Sequence, residues 1–378
     1  MKNPEIRFID DNIDWQNKKI EDILEPYVEK NTNNYPSVAI GRYGIRRREE
    51  IYSKELSKDT TKNKVINKNT LTVGMGSTQI DIGILHTDEH FSVSPAYHTF
   101  NILENDSKFI ESSFAKNNEK YSKQHMIIGA RQGKSVDFPN FLADIIYLPS
   151  IEVQQKISHL LTNIEDKIMK QENLVQKLKD TKSALLIKMF PQENQSVPEL
   201  RFDSFTNDWE QRKLGEVSNI VGGGTPSTTV SEFWDGTINW YTPAELSNQI
   251  YLSSSIRKIT EKGLNNCSAK MLPEGTVLFT SRAGIGKTAI LKEVGCTNQG
   301  FQSIIPHKDK LDTYFIYSQS EKLKNYGETV GAGSTFVEVS GKQMAEMNVK
   351  IPQTFVEQKR IGTFFETLDK TITLHQCK

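Results

Sequence analysis

From Val153 to Met189 the chain has no Pro and no Gly, and its apolar residues fall on one stripe. Leu161, Ile164, Ile168, Gln171, Val175, Leu178, Lys182, Leu185 and Met189 step alternately by three and four positions, and seven of these nine are apolar. That spacing predicts a coiled-coil seam on a long helix. Glu165, Lys167, Lys170, Glu172, Lys177 and Lys179 fall off the seam, where water solvates them. Pro149 stands before the helix and Pro191 after it, as start and stop signals. At 1.5 Å per residue the rod is about 55 Å long. The seam restarts at Phe365, Leu368, Ile372 and His375. Two copies of one seam in one chain predict an intramolecular antiparallel pair. Homodimerisation and partner binding are the alternative uses of such a stripe.

The seam is part of a larger internal repeat. Pro4-Glu5-Ile6-Arg7-Phe8 recurs as Pro198-Glu199-Leu200-Arg201-Phe202, 194 positions later. At the same offset Asp14-Trp15 matches Asp208-Trp209, and Lys18-Lys19-Ile20 matches Arg212-Lys213-Leu214. Each half closes on a second shared block. Ile157, Leu160, Leu161, Ile164 and Ile168 match Ile361, Phe364, Phe365, Leu368 and Ile372, with Leu148-Pro149 and Ile351-Pro352 ahead of them. The middles agree only in outline. Residues 69–73 and 275–279, then 82–85 and 288–291, read as short strands. Phe109–Tyr121 and Leu311–Tyr326 each read as one amphipathic helix. The fold class expected is α+β, with two pseudo-symmetric domains joined by long antiparallel coiled-coil helices. The expected segments are 1–148, a spacer helix at 149–196, 197–350, and a closing helix at 351–378. Like ends and unlike middles fit one shared structural task and two different recognition tasks. The repeated Asp-Trp reads as a core anchor of each half.

Composition narrows the classes. The 378 residues are 36% apolar and 25% charged, and no apolar run is long enough for a transmembrane span. The start, Met1-Lys2-Asn3-Pro4-Glu5, lacks the apolar stretch of a signal peptide. Cys267, Cys296 and Cys377 form no CxxC pair, which argues against a disulfide or zinc scaffold and favours a cytoplasmic setting. Lys plus Arg equals Asp plus Glu, at 47 each, and each half is nearly balanced as well. A uniformly basic nucleic-acid glove is thereby excluded. Any DNA contact must come from local clusters, or from a partner that supplies phosphate binding.

The layout resembles the specificity subunit of Type I restriction–modification systems. The resemblance is carried by the repeated Pro-Glu-[Ile/Leu]-Arg-Phe…Asp-Trp openings, by Asn298-Gln299-Gly300-Phe301, and by the [Leu/Ile]-Pro…Gln…Ile blocks at 148–168 and 351–372. It implies that each middle is a target recognition domain reading one half of a split double-stranded DNA site. The helices would fix the gap between half-sites and dock two modification subunits, which two restriction subunits then join. S-adenosylmethionine, ATP and Mg are expected on those partners, with no cofactor, metal or catalytic residue in this chain. The same resemblance implies a second helix as long as the first, so 351–378 reads as a shortened copy, about four turns less.

Base edges in the major groove are read by Arg, Lys, Asn, Gln and hydroxyl side chains. The first middle offers Arg42, Arg46, Arg47 and Arg48, then Arg131, Gln132 and Lys134. The second offers Thr225 in a triple-glycine loop, Arg257, Lys258, Arg282, Lys287, and Ser334 and Thr335 in a glycine loop. The helix candidates for partner contact are Leu161, Ile164, Ile168, Val175, Leu178, Leu185, Phe365, Leu368 and Ile372.

Two apparent motifs carry no chemistry. Ser281–Thr288 ends in Gly-Lys-Thr, but a phosphate loop needs Gly at the first position and a helix after the Thr, where strand-like Ala289-Ile290-Leu291 follows. His86-Thr87-Asp88-Glu89-His90 spells HxxEH, but between strand-like runs it reads as a hairpin turn rather than one helical face. A stand-alone methyltransferase or nuclease with paired readers, and a coiled-coil scaffold without a DNA role, are the rival readings.

Overall fold

A computed structural model describes residues 15–41, 44–51, 60–129, 133–247, 249–282, 284–332 and 338–376. Arg42, Arg131, Gln132, Ser334, Thr335 and the Pro4–Phe8 segment lie outside the described residues. The chain divides into two compact units, Met1–Ile168 and Met169–Lys378. The division falls inside the long helix and not at its ends.

In the first unit β1 (Gln16–Lys19) pairs antiparallel with a strand at Ile145–Leu148. A four-stranded antiparallel sheet runs in the order β2 (Leu24–Pro26), His98–Ile102, Thr70–Met75, Ile80–Ile84. Helix α1 (Ser107–His125) covers it, with Phe109, Ile110, Phe114 and Tyr121 buried against Leu71, Val73 and Ile84. The second unit repeats this plan. Glu210–Lys213 pairs with Asn348–Ile351. The main sheet runs Ser218–Gly222, Gln302–Pro306, Val277–Phe279, Thr288–Leu291, with Tyr251–Leu252 added at the edge. Leu71 faces Ile84 in one sheet and Val277 faces Ile290 in the other, so even the register repeats.

One glutamine device is built twice. In the first unit Asp106 caps α1 by accepting from the Phe109 N–H at 2.9 Å. The Gln154 carbonyl accepts from the Asp106 N–H at 3.0 Å, and its amide donates to the Pro149 carbonyl at 3.1 Å. Asp312, Phe315, Gln358 and Pro352 make the same set. Each device satisfies helix-start donors that packing would otherwise leave orphaned.

The expected helix over Leu311–Tyr326 is instead two, Thr313–Tyr317 and Ser320–Gly331. Ser318 and Ser320 hydroxyls donate to the Phe315 and Tyr317 carbonyls at the break. Such bonds compete with the helical ladder. The second unit also adds a three-stranded sheet, Arg257–Ile259, Trp234–Tyr241, Gly295–Thr297, over its own core of Trp234, Trp240, Ile259 and Cys296.

Helix α2 (Ile151–Met189) is one continuous helix of 39 residues. Its second half packs antiparallel on α3 (Phe355–Gln376). Gln171 donates to the His375 carbonyl at 2.6 Å, Lys182 meets Asp369 at 2.6 Å, and the Phe190 and Phe365 rings lie 6.0 Å apart. As the number rises on one helix it falls on the other.

Candidate nucleic-acid interface

Loops of the second unit converge because the strand ends beneath them are hydrogen-bonded to one another. The triple-glycine loop leaves the main sheet at Gly222 and crosses to the smaller one, where the Gly224 N–H donates to the Thr297 carbonyl at 2.9 Å. A Cβ on Gly223 would collide with the Thr297 and Asn298 carbonyls, and one on Gly224 with Ser268 and the backbone of Ala269. These glycines are required by close backbone approach. Thr225 hydrogen-bonds Gln299 at the exposed rim. Asn298 receives the Gly300 N–H on its carbonyl oxygen at 2.8 Å, and the Gly300 carbonyl accepts from the Ser281 N–H at 2.8 Å. Ser281 in turn accepts from the Val339 N–H at 2.9 Å, and Arg282 bridges to Glu338 through the backbone.

Thr225, Gln299, Arg282 and Glu338 are thus tied together by side-chain and backbone hydrogen bonds running through Asn298, Gly300 and Ser281. Arg282 is half-buried and Lys287 is exposed. The 281–287 loop is closed by Thr280, which bonds the Lys287 N–H and the Gly284 carbonyl. Gly284 and Gly286 take left-handed φ of 103° and 97°, and a strand follows at Thr288. The phosphate-loop reading therefore fails on geometry, as the sequence suggests.

Arg257 lies on the smaller sheet directly opposite Trp240, and Lys258 opposite Asn239. The Arg257 guanidinium stacks 3.7 Å from the Trp234 ring centre and 6.0 Å from that of Trp240. Trp240 donates its indole N–H to the Gly224 carbonyl at 2.8 Å, which ties this arginine to the glycine loop.

In the first unit the arginines divide. Arg46 and Arg47 lie on the strand Gly44–Arg47 and line a groove of about 910 Å³ with His86, Glu89, Lys108 and Glu111. Arg47 faces Glu49 at 3.8 Å and Glu89 at 3.6 Å, and it covers the Phe91 ring. Arg48 instead lines a second cavity of about 510 Å³ with Lys134, Tyr97, His98 and Phe138. His98 stacks on Phe138 with ring centres 3.6 Å apart, and burial followed by the Lys64 charge pulls its pKa below the usual value. One basic run in sequence thus feeds two sites.

His86 meets Glu111 at 2.8 Å and His90 meets Asn67. The expected hairpin turn between them is a crossing link, because Ile80–Ile84 pairs with Thr70–Met75 while Phe91–Val93 pairs with Lys64–Ile66. Among the described residues no cluster of His, Cys, Asp and Glu is placed to hold a metal.

The helix candidates also sort by position. Val175 and Phe365 are buried, Ile372 is 6% exposed, and Leu178, Leu185 and Leu368 are half-buried. Leu161 is half-buried, but Ile164 and Ile168 are 46% and 53% exposed, unlike their repeat partners Leu368 and Ile372. Nothing in the sequence marks Trp234 or Trp240 as parts of this surface, since no local signal says which indole supports which loop, and Gln299 stands out only within the Asn298–Phe301 block. Trp209 does sit in the core, 5% exposed, with its indole N–H 3.3 Å from Glu357.

The family described as Type I restriction modification DNA specificity domain matches this chain twice, at residues 12–179 and 206–378. The chain belongs to that family. Its two specificity domains correspond to the two halves of the internal repeat. The chain is 39% identical over 168 residues to the Type I restriction enzyme MjaIX specificity subunit of Methanocaldococcus jannaschii, an alignment covering 44% of this chain and 39% of that protein. It is 27% identical over 175 residues to the EcoR124I/EcoR124II specificity subunit of Escherichia coli, covering 43% of this chain and 42% of that one. The alignments thus span about two fifths of these relatives. The fold is shared with the crystal structure of the Type I restriction–modification S subunit from M. genitalium, with a TM-score of 0.61 at 15% identity over 98% of this chain and 93% of the other.

Proposed function

We propose that this chain is the non-catalytic DNA-reading subunit of a Type I restriction–modification complex. Each specificity domain reads one half of a bipartite double-stranded site, and the α2–α3 helices set the spacing between half-sites and carry the docking surface for two modification subunits. Two restriction subunits join that core. The partners supply S-adenosylmethionine, ATP and Mg, the methylating and cleaving sites, and most of the phosphate clamp. The complex works in the cytoplasm. Among the described residues no helix is long and apolar enough to cross a membrane, which is compatible with that setting. In this reading function divides over four segments, 1–148, 149–196, 197–350 and 351–378.

The observation that carries the reading is the family match in both halves, together with the convergence of Thr225, Gln299 and Arg282 on one loop surface. Half-sites one helical turn apart lie about 34–36 Å from centre to centre, a span that a rigid rod of this length accommodates.

The test is to express the chain with Type I modification subunits and map methylated adenines across the host genome. A split motif with a fixed gap, absent when this chain is left out, is the expected result. Methyl transfer by the purified chain alone would overturn the proposal.

A further inference from the structure

Beside the convergent loops, Ile256 is 86% exposed, the most exposed of the large apolar side chains described. A lone exposed isoleucine is ordinary on a protein surface. The backbone of this one is held by polar groups, some of them buried. Its N–H donates to Glu245 at 2.7 Å, and the other oxygen of that carboxylate accepts from the Thr242 N–H at 2.8 Å. The preceding Ser255 is buried. Its hydroxyl accepts from the Trp240 N–H at 2.9 Å and donates to the Arg257 carbonyl at 2.6 Å. Its own N–H reaches Asn239, which is buried too. The following Arg257 is exposed, stacks on Trp234, and has no carboxylate partner among the described residues.

The geometry points to Ile256–Arg257 as a pre-formed base-reading tip of the second specificity domain. This rests on the proposed function and names residues within it. Cross-strand neighbours project from the same face of a sheet, so Arg257 and Trp240 share a face. Trp240 reaches across that face to the Gly224 carbonyl, so the glycine loop lies on the arginine's side. A guanidinium held 3.7 Å over an indole centre uses its flat face for that contact, and because the residue is exposed its in-plane N–H donors remain open to a ligand. That presentation suits bidentate bonding to the N7 and O6 acceptors of guanine. Ile256, whose backbone is anchored next to Arg257 in the chain, offers a side chain without hydrogen-bonding atoms to the neighbouring base, best to a thymine methyl. Holding the backbone of both residues and the guanidinium before binding lowers the ordering cost that a flexible loop would carry.

The experiment uses the full chain assembled with its modification subunits, a duplex carrying the split motif found by methylation mapping, and duplexes changed one base pair at a time. Arg257→Ala and Arg257→Lys are each expected to weaken binding to the intact site by about 10- to 100-fold, the scale of a lost bidentate contact. Both should abolish discrimination at one guanine of a single half-site, leaving the other half-site and non-specific DNA unaffected. Lysine fails despite its charge because the planar fork is gone. Ile256→Ala, at a site too exposed to affect folding, should relax preference about fivefold at the adjacent base pair.

Equal weakening on every sequence, with the salt slope falling by about one, would make Arg257 a phosphate contact and overturn the inference. So would unchanged preference in both the Arg257 and Ile256 variants. If the unaltered complex itself shows no sequence preference, the proposed function fails instead, a distinct and separately visible result.

Discussion

At the scale of single residues, the second unit depends on a charge that is nearly out of reach of water. Glu357 is 1% exposed and receives Arg201 at 2.7 and 2.8 Å and the Trp209 indole at 3.3 Å. The bond to Glu357 is the main reason the Arg201 pKa is raised. Breaking a buried pair costs more than the pair contributes, because it strands the other charge. Glu357→Ala is expected to destabilise the second unit by about 3–5 kcal/mol, read as a lower urea midpoint. The same contact gives the second copy of the Arg-Phe…Asp-Trp motif its task, since Arg201 and Trp209 share one carboxylate on α3. In the first half Val153 stands at the position equivalent to Glu357.

Buried acids of the neutral kind give the chain an alkaline limit. Burial pushes the Cys296 thiol up to about 12, and the Tyr241 phenol likewise to about 12. In the unfolded chain these groups ionise near about 8.5 and about 10. Above those values the unfolded state holds fewer protons than the folded one, so stability falls as pH rises. Unfolding free energy measured at a series of pH values should therefore drop from about pH 9 upward. Alkylation followed by mass spectrometry at pH 8 should modify Cys296 only after denaturant is added.

At the scale of elements, pairing of α2 with α3 is a packing question with ionic detail. Phe365 is fully buried, and Phe190, 2% exposed, stacks on it. Lys182 and Tyr314 both bond Asp369. Phe365→Ala should cost about 3–5 kcal/mol through lost burial and the cavity left behind. Urea unfolding would check this, with a lower midpoint and an unchanged slope expected. Asp369→Asn keeps the shape but removes the charge facing Lys182, and should cost less than the phenylalanine change in the same assay. Val175 and Phe365, both on the seam, are buried. The seam did not say how much of α2 would be covered: Ile164 and Ile168 obey the same spacing, yet they are half exposed.

At the scale of the whole molecule, a chain with 47 charges of each sign has no net field to attract DNA. Measured alone, its affinity should change little with salt. The assembled complex should show a much steeper slope of log affinity against log salt, because partner lysines and arginines would displace counterions from phosphates. Fluorescence anisotropy over a salt series, for the chain and for the complex, decides this. A steep slope for the chain alone would place the phosphate clamp here instead.

The sequence by itself determined the duplicated plan, the α+β class, the long helix and its partner seam. These follow from periodicity and from like residues at like offsets, which act locally or are simply copied. The sheet orders, the split of the 311–326 helix, the separation of Arg46 and Arg47 from Arg48, and the support of Arg257 by two indoles were decided only by tertiary structure. Each depends on which distant strand lies alongside. A strand's neighbour is chosen by burial summed over the whole core, and no window of sequence contains that sum.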